Sequence, residues 1–251
     1  MFRNDPDRDW ERFGAEDPYY SMVNTEKYRT HLLDDARIEE VLQTGESTVA
    51  HFLEVVEREF GSFPRGSALE FGCGVGRLVL PLARHYRKVT GIDISPSMLR
   101  EAARNIERKG LENVELAPAD DTLSQVEGEF DLVLSYLVLQ HVPVRRGERV
   151  IRTLVSRVRA GGILALHVTV ARSTPRWRQA IHVLRRNFFP LHVAGNLLSG
   201  MRWNEPMMQS HLYDLQRVRT CIEAAGLGEI VELPVQHTDH VGVMMFARRP
   251  Q

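Results

Sequence analysis

At 251 residues, with 43% hydrophobic and 26% charged residues, the chain has ordinary globular composition and enough apolar side chains for one sizeable α/β core with additions. The polar start Phe2-Arg3-Asn4-Asp5 and the absence of any apolar run near ~18 residues argue against a signal region or a membrane span, so a soluble, cytoplasmic protein is expected. Cys73 and Cys221 stand far apart and outside any ligand spacing, which predicts neither a disulfide framework nor a metal site.

The net charge of −1 is unevenly spread. Acids outnumber bases from Asp5 to Glu59. Arg172, Arg176, Arg178, Arg185, Arg186 and Arg202 lie in a stretch with no acid at all. That stretch has two readings: it faces an anion, or it pairs with the acidic N-terminal region or with solvent.

In chain order, residues 7–60 lack strand-like runs. Ile38 to Leu42 and Val49 to Val56 have helical spacing, so residues 1–60 are expected to form an N-terminal helical cap. Residues 61–251 are read as the core. Gly61 to Gly66 punctuates the chain before a first buried strand, Ala68 to Phe71. A helix from Leu78 to His85 follows, then a strand from Lys88 to Asp93. Ser95-Pro96 marks a helix start, with Met98, Leu99 and Ala102 on its apolar face. Val114 to Ala117 and Phe130 to Ser135 continue the alternation of strand and connector that favours a parallel sheet.

A helix from about Glu148 to Val158 is expected to lead through Gly161-Gly162 into a fifth strand, Ile163 to Val168. Residues 172–213 interrupt the pattern with Pro175, Pro190 and Pro206, and with the bulk of Trp177, Phe188, Phe189 and Trp203. They read as an inserted lid or a mere cap on the sheet. Asp214 to Ala225 is helical up to Gly226. Glu229 to Leu233 and Val241 to Ala247 have no room for a helix between them, so they are expected to pair as an antiparallel hairpin at the sheet edge. The sum is an α/β fold: a seven-stranded, mostly parallel sheet with helices on both faces.

The chemistry is concentrated in Glu70-Phe71-Gly72-Cys73-Gly74-Val75-Gly76-Arg77. Three glycines at alternate positions between a strand and a helix allow a tight turn and close approach of a ligand to backbone N–H groups. Asp93 ends the next strand, where a carboxylate can accept hydrogen bonds from ribose hydroxyls. A nicotinamide fingerprint would place glycine where Arg77 stands.

These residues resemble the class I, Rossmann-like S-adenosylmethionine-dependent methyltransferase family, whose first motif is an acid followed by alternating glycines. Phe130-Asp131-Leu132-Val133 is similar to its fourth-strand motif. Arg159-Ala160-Gly161-Gly162 is similar to its Lys-Pro-Gly-Gly turn, with alanine for proline. The resemblance runs from about Ser67 to Val170 and takes in the closing hairpin. It implies S-adenosylmethionine as cofactor, with Glu70, Gly72, Gly74, Gly76, Asp93, Ile94, Asp120 and Tyr136 around it. Asp93 would hold the ribose and Asp120 would face the adenine amino group, although either Asp120 or its neighbour Asp121 could instead cap a short helix.

His141 follows the fourth strand at the ligand edge and is the candidate base or acceptor-orienting residue. Asp17-Pro18-Tyr19-Tyr20 either closes over the cofactor or packs. Methyl transfer needs alignment above all, so no metal is expected. After strand four stands Ser135-Tyr136-Leu137-Val138, without the Pro-Pro-aromatic motif of base-amino methyltransferases. A small-molecule acceptor, with no nucleic acid and no membrane partner, is therefore expected. A protein acceptor and a non-catalytic S-adenosylmethionine-binding protein are the alternatives.

Overall fold

Buried strands and amphipathic helices alternate along the chain, and they assemble into a single sheet with helices on both faces. The computed structural model describes residues 5–174, 181, 184–185, 188–198, 202–203, 205, 208–237 and 239–251. The strands are β1 (Ser67–Phe71), β2 (Lys88–Asp93), β3 (Val114–Pro118), β4 (Phe130–Ser135), β5 (Val158–Arg172), β6 (Gly228–His237) and β7 (His240–Arg248), in the order β3-β2-β1-β4-β5-β7-β6. β1 to β5 are mutually parallel, and β7 runs antiparallel between β5 and β6. The chain between His237 and His240 is too short for a crossover, so the last two strands pair as a hairpin, as the sequence predicts.

The helices are α1 (Pro6–Glu16), α2 (Pro18–Val23), α3 (Asp35–Phe60), α4 (Val79–His85), α5 (Pro96–Arg108), α6 (Val144–Ser156), α7 (Phe189–Leu198) and α8 (Leu215–Ala224). Their starts are set locally. Ser95 caps α5 by accepting from Met98 N–H ahead of Pro96, and Asp214 caps α8 by accepting from Gln216 and Arg217 N–H. The sixth helix departs from expectation: it ends at Ser156, and Val158 already belongs to β5, paired with Phe130 across a register shift. Val158 is fully buried between sheet neighbours, and that burial outweighs the helical spacing that pointed to a later end.

Alternating side chains along each strand feed two cores. Leu69, Val133, Leu164, Leu166 and Met245 face α6 and α8, with Leu154, Val155 and Ile222 packed on them. Ala68, Leu132, Leu134, Ile163, Met244 and Phe246 face the other way, onto Val49, Phe52, Leu53 and Val56 of α3. The first half of α3 leaves the sheet and joins Tyr19 and Tyr28 over Val75, Leu80 and Met98, which places helical residues against the glycine-rich loop.

That contact depends on Gly45. A Cβ there would sit 1.9 Å from the carbonyl oxygen of Arg77, so α3 reaches the loop only because the helix lacks a side chain at this point. Replacing a mid-helix glycine with alanine ordinarily gains about 1 kcal/mol. Here the clash is with backbone, and Gly45→Ala is expected to lower stability by about 1–3 kcal/mol, read from urea denaturation. A variant as stable as the wild type would show that α3 does not brace the loop.

Candidate active site

The turn after β1 is built from Gly72, Gly74 and Gly76, all at positive φ. At Gly72, φ is 78° and a Cβ would lie 2.3 Å from Val138 Cγ2, so glycine alone lets the loop after β4 close against this turn. Gly72 and Cys73 donate their N–H groups to the Ile92 carbonyl at 2.7 and 3.0 Å. Asp93 then clamps the loop. Its Oδ2 accepts from Gly74 N–H at 2.9 Å and its Oδ1 from Ser95 N–H at 2.9 Å. Burial pushes the Asp93 carboxyl up to about 6, and these N–H donors act in the opposite direction.

Above this clamp lies a cavity at the carboxyl edge of the parallel strands, with an empty volume of about 1040 Å³ including its open mouth. Gly72, Gly74, Asp93, Ile94, Asp120, Tyr136 and His141 all line it. Glu70 and Gly76 do not. Glu70 lies behind the loop, buried, with Val79 N–H donating to it and Oε2 without a hydrogen-bond partner among the described residues. Burial raises its carboxyl to about 8 against the opposing pull of Arg77. It thus lies under the loop and off the cavity wall, where the resemblance has it contacting or orienting the cofactor.

Asp120 lines the cavity but spends its carboxylate on its own turn. It accepts from Thr122 N–H and Oγ1–H, both at 2.7 Å, from Ser124 N–H at 3.1 Å, and from Ser124 Oγ–H. The Ser124 and Thr122 hydroxyls hold it well below the usual carboxylate range. Asp121 faces Arg146 and Arg149, and Arg146 also holds Asp7 of α1. Asp followed by Thr and Ser at these offsets is the side-chain-capped turn that such residues favour.

His141 is fixed on both sides. Its Nδ1–H donates to the Gln209 carbonyl at 2.8 Å, and the Gln140 side-chain amide lies 3.1 Å from Nε2. Gln140 Oε1 accepts from Thr169 Oγ1–H at 2.8 Å, which turns its NH2 toward the imidazole. The network thus assigns a neutral ring whose Nε2 lone pair is engaged. Tyr136 packs edge-on against Phe52 and His167, with ring centroids 5.1 and 5.4 Å away. Leu137, the next residue on the wall, is held at φ 61°, a strained conformation for a non-glycine residue.

Several lining residues carry no motif. Pro6, Asp7 and Trp10 of α1 close one side with Ser21 and Met22, and the Trp10 ring stands edge-on to His141 at 4.8 Å. Tyr19 and Tyr20 pack elsewhere: Tyr19 donates to Glu101 at 2.8 Å, and Tyr20 lies under the Arg29 guanidinium at 3.5 Å. In the insertion, Arg202 pairs with Glu16 and Asp17 at 3.0 and 2.7 Å, which is the N-terminal pairing alternative. Phe188 and Trp203 are 62% and 54% exposed and lie off the cavity wall. Trp177, Arg176, Arg178 and Arg186, and the side chain of Phe189, lie outside the described residues. Among the described residues no group of three or more His, Cys, Asp or Glu side chains is placed to hold a metal ion, and no helix is long and apolar enough to cross a membrane.

Residues 68–162 match a family described as "Methyltransferase domain". The chain is 38% identical over 96 residues to the ubiquinone biosynthesis O-methyltransferase of Methylocella silvestris, covering 38% of this chain and 37% of that protein. It is 32% identical over 118 residues to a 23S rRNA (uracil(1939)-C(5))-methyltransferase of Stenotrophomonas maltophilia, covering 42% of this chain and 26% of that one. The chain therefore spans about a quarter to two fifths of the length of these curated relatives. Its fold is that of the magnesium protoporphyrin IX methyltransferase from Synechocystis PCC 6803 crystallised with bound SAM, at a TM-score of 0.60, 20% identity and 99% coverage of each chain.

Glu70 gives a test of this placement. Its carboxyl is raised by burial, so its stabilising contribution is fully present below the unfolded carboxyl range and is lost as pH rises toward about 8. Glu70→Gln removes that loss. The variant is expected to gain on the wild type between about pH 5 and 8 in urea titrations and to level off above that, and a pH-independent difference would show that Glu70 is not held protonated.

Proposed function

Because the chain carries a class I methyltransferase domain, we propose that it transfers a methyl group from S-adenosylmethionine to a small organic acceptor. The observation that carries this reading is the convergence, in one cavity at the strand edge, of the Gly72–Gly74 turn, the Asp93 clamp and the Tyr136–His141 wall. The cavity suits the cofactor: a Cβ at Gly72 would collide with Val138 and one at Gly74 would crowd Met22, so backbone alone keeps the turn clear at the cavity wall. Gly72, Gly74, Asp93 and Ile94 would hold the nucleoside portion, with Asp120 at the far end. The bound cofactor supplies a methyl carbon made electrophilic by its sulfonium.

The protein's own contribution is alignment and exclusion of water. Trp10 and Met22 cover the cavity from the N-terminal side, and Tyr136 with Leu137 forms its opposite wall. His141, with Nδ1–H tied to Gln209 and Nε2 to Gln140, serves better to orient an acceptor than as a free base. Proton removal at Nε2 would require Gln140 to let go. A small acceptor is supported by the cover that α1 forms over the cavity and by the near-neutral charge, while the similarity to rRNA methyltransferases spans only the shared domain. The similarity to an O-methyltransferase of ubiquinone biosynthesis points the same way.

Asp93→Ala is expected to weaken S-adenosylhomocysteine binding about 10- to 100-fold in calorimetry, the scale of losing hydrogen bonds to a charged group. Unchanged affinity in a folded variant would remove Asp93 from the site. His141→Ala is expected to lower kcat about tenfold or more with little change in S-adenosylhomocysteine affinity, on the scale of losing acceptor alignment. Equal loss of both would place His141 with the packing.

A further inference from the structure

A second opening lies on the far side of Tyr136 from the donor cavity, between α3 and the β6–β7 hairpin, with an empty volume of about 580 Å³ including its mouth. Its α3 wall carries Ser47, Thr48 and His51, and the opposite wall is apolar, with Leu233, Val235 and Met244. Tyr136 belongs to both openings.

One cation stands at this shared partition. Arg77 lines the donor cavity, and its guanidinium carbon is 5.9 Å from the Tyr136 ring centroid. Its Nη1 turns toward α3, 3.4 Å from Thr44 Oγ1 and 3.5 Å from Thr48 Oγ1, and Thr48 is part of the cleft wall. Both contacts are at the long limit for a hydrogen bond. Arg146, also on the donor cavity, is ion-paired with Asp7 and Asp121, whereas no ion pair to Arg77 is present among the described residues. Glu70 is the nearby acid; it lies behind the loop without an ion pair to Arg77, and burial raises its carboxyl. Arg77 is half-buried and makes no ion pair among the described residues, and its fork of N–H donors matches a carboxylate bidentately.

We propose that the acceptor is a small amphipathic acid that reaches the donor cavity and His141 past Tyr136, with its carboxylate held by Arg77 at this partition and its body in the cleft between α3 and the β6–β7 hairpin. The apolar body of the acid lies along Leu233, Val235 and Met244, and its polar substituents meet Ser47, Thr48 and His51. The direction of Arg77 toward Thr48 favours the acceptor over the donor's own methionine carboxylate as the partner. The acceptor role rests on the methyltransferase reading; the ligand chemistry does not.

The test uses the full chain saturated with S-adenosylhomocysteine and three acids, benzoate, cinnamate and octanoate, each beside its primary amide, with binding followed by ligand-observed NMR. At least one acid is expected to bind about tenfold or more tighter than its amide, the scale of a charge-assisted hydrogen bond. Arg77→Met removes the difference and Arg77→Lys restores part of it. Ser47 is exposed on α3, so Ser47→Trp fills the cleft without entering the core; it abolishes acid binding and leaves S-adenosylhomocysteine affinity within about twofold, as expected of separate sites. The proposal is overturned if no acid binds, if acid and amide bind alike, or if Ser47→Trp has no effect. It is equally overturned if Arg77→Met weakens S-adenosylhomocysteine as much as the acid, which would assign Arg77 to the donor's carboxylate. If the wild type fails to bind S-adenosylhomocysteine, the methyltransferase reading falls, and the acid–amide comparison on the unloaded protein still decides the chemistry of the cleft.

Discussion

The Asp93 carboxylate is the tie on which the donor cavity depends. One oxygen holds Gly74 N–H in the turn after β1 and the other holds Ser95 N–H at the start of α5, so two connections from adjacent strands are fixed to one point. A carboxylate is suited to this because it accepts at both oxygens, and backbone donors compensate part of the cost of burying it. Without the tie, a turn containing three glycines would have many conformations of similar energy. With it, the turn is pre-shaped for a ligand, so less ordering remains to oppose binding.

The N-terminal helices are attached at the same point. Ser95, held through its N–H by Asp93, donates its hydroxyl to Glu11 of α1 at 2.6 Å, and Glu11 also accepts from Ser97 N–H and Oγ–H at 3.0 and 2.7 Å. Burial alone would raise the Glu11 carboxyl, but the hydrogen bonds from Ser95 and Ser97 outweigh it and hold it low. The start of α5 thus carries an acid from another helix, as the partial positive charge of a helix N-terminus favours. Trp10, one residue before Glu11, is thereby delivered to the cavity and to the face of His141.

What could be read from the sequence divides along the same line. Strands whose two faces are both buried show as continuous apolar runs, and caps such as Ser95-Pro96 and Asp214 act over a few residues, so sheet order class and most helix starts were legible. The alternating glycines and Asp93 were legible because turn, strand end and helix start follow each other locally. Trp10 and Met22 were not, since each reaches its place only through packing between segments remote in sequence, and the approach of Arg77 to Thr48 and Tyr136 comes from such packing although Arg77 itself follows the glycines directly. Glu70 was placed with the cofactor, by contact or by orientation, from its motif position, and position in a strand does not say which side of the loop a side chain takes. Asp120 shows the opposite limit: the Thr122 and Ser124 that occupy it were visible two and four residues on, and they decide what its carboxylate does.

The arginine-rich insertion is where charge counting alone misleads most. Arg202 lies on Glu16 and Asp17, and the buried Arg29 is bound by Asp17 and Glu205 at 3.0 and 2.9 Å. Asn196 of α7 donates to the Glu205 carbonyl and accepts from Arg185, so part of the insertion hangs on the N-terminal helices through polar groups. Desolvation makes such a cluster a weak source of net stability, but loss of Glu205 would leave Arg29 with Asp17 and the exposed Glu26 only. The cluster therefore fixes register between the two segments. Asp17 directly follows α1, whose Trp10 and Asp7 line the cavity, so the insertion acts on the cavity by holding its cover in place. Arg185 and Arg202, for which the sequence left open both an external anion and pairing with the acidic N-terminal region, spend their charge inside the protein, and among the described residues Arg77 is a guanidinium that lines the cavity without an ion pair.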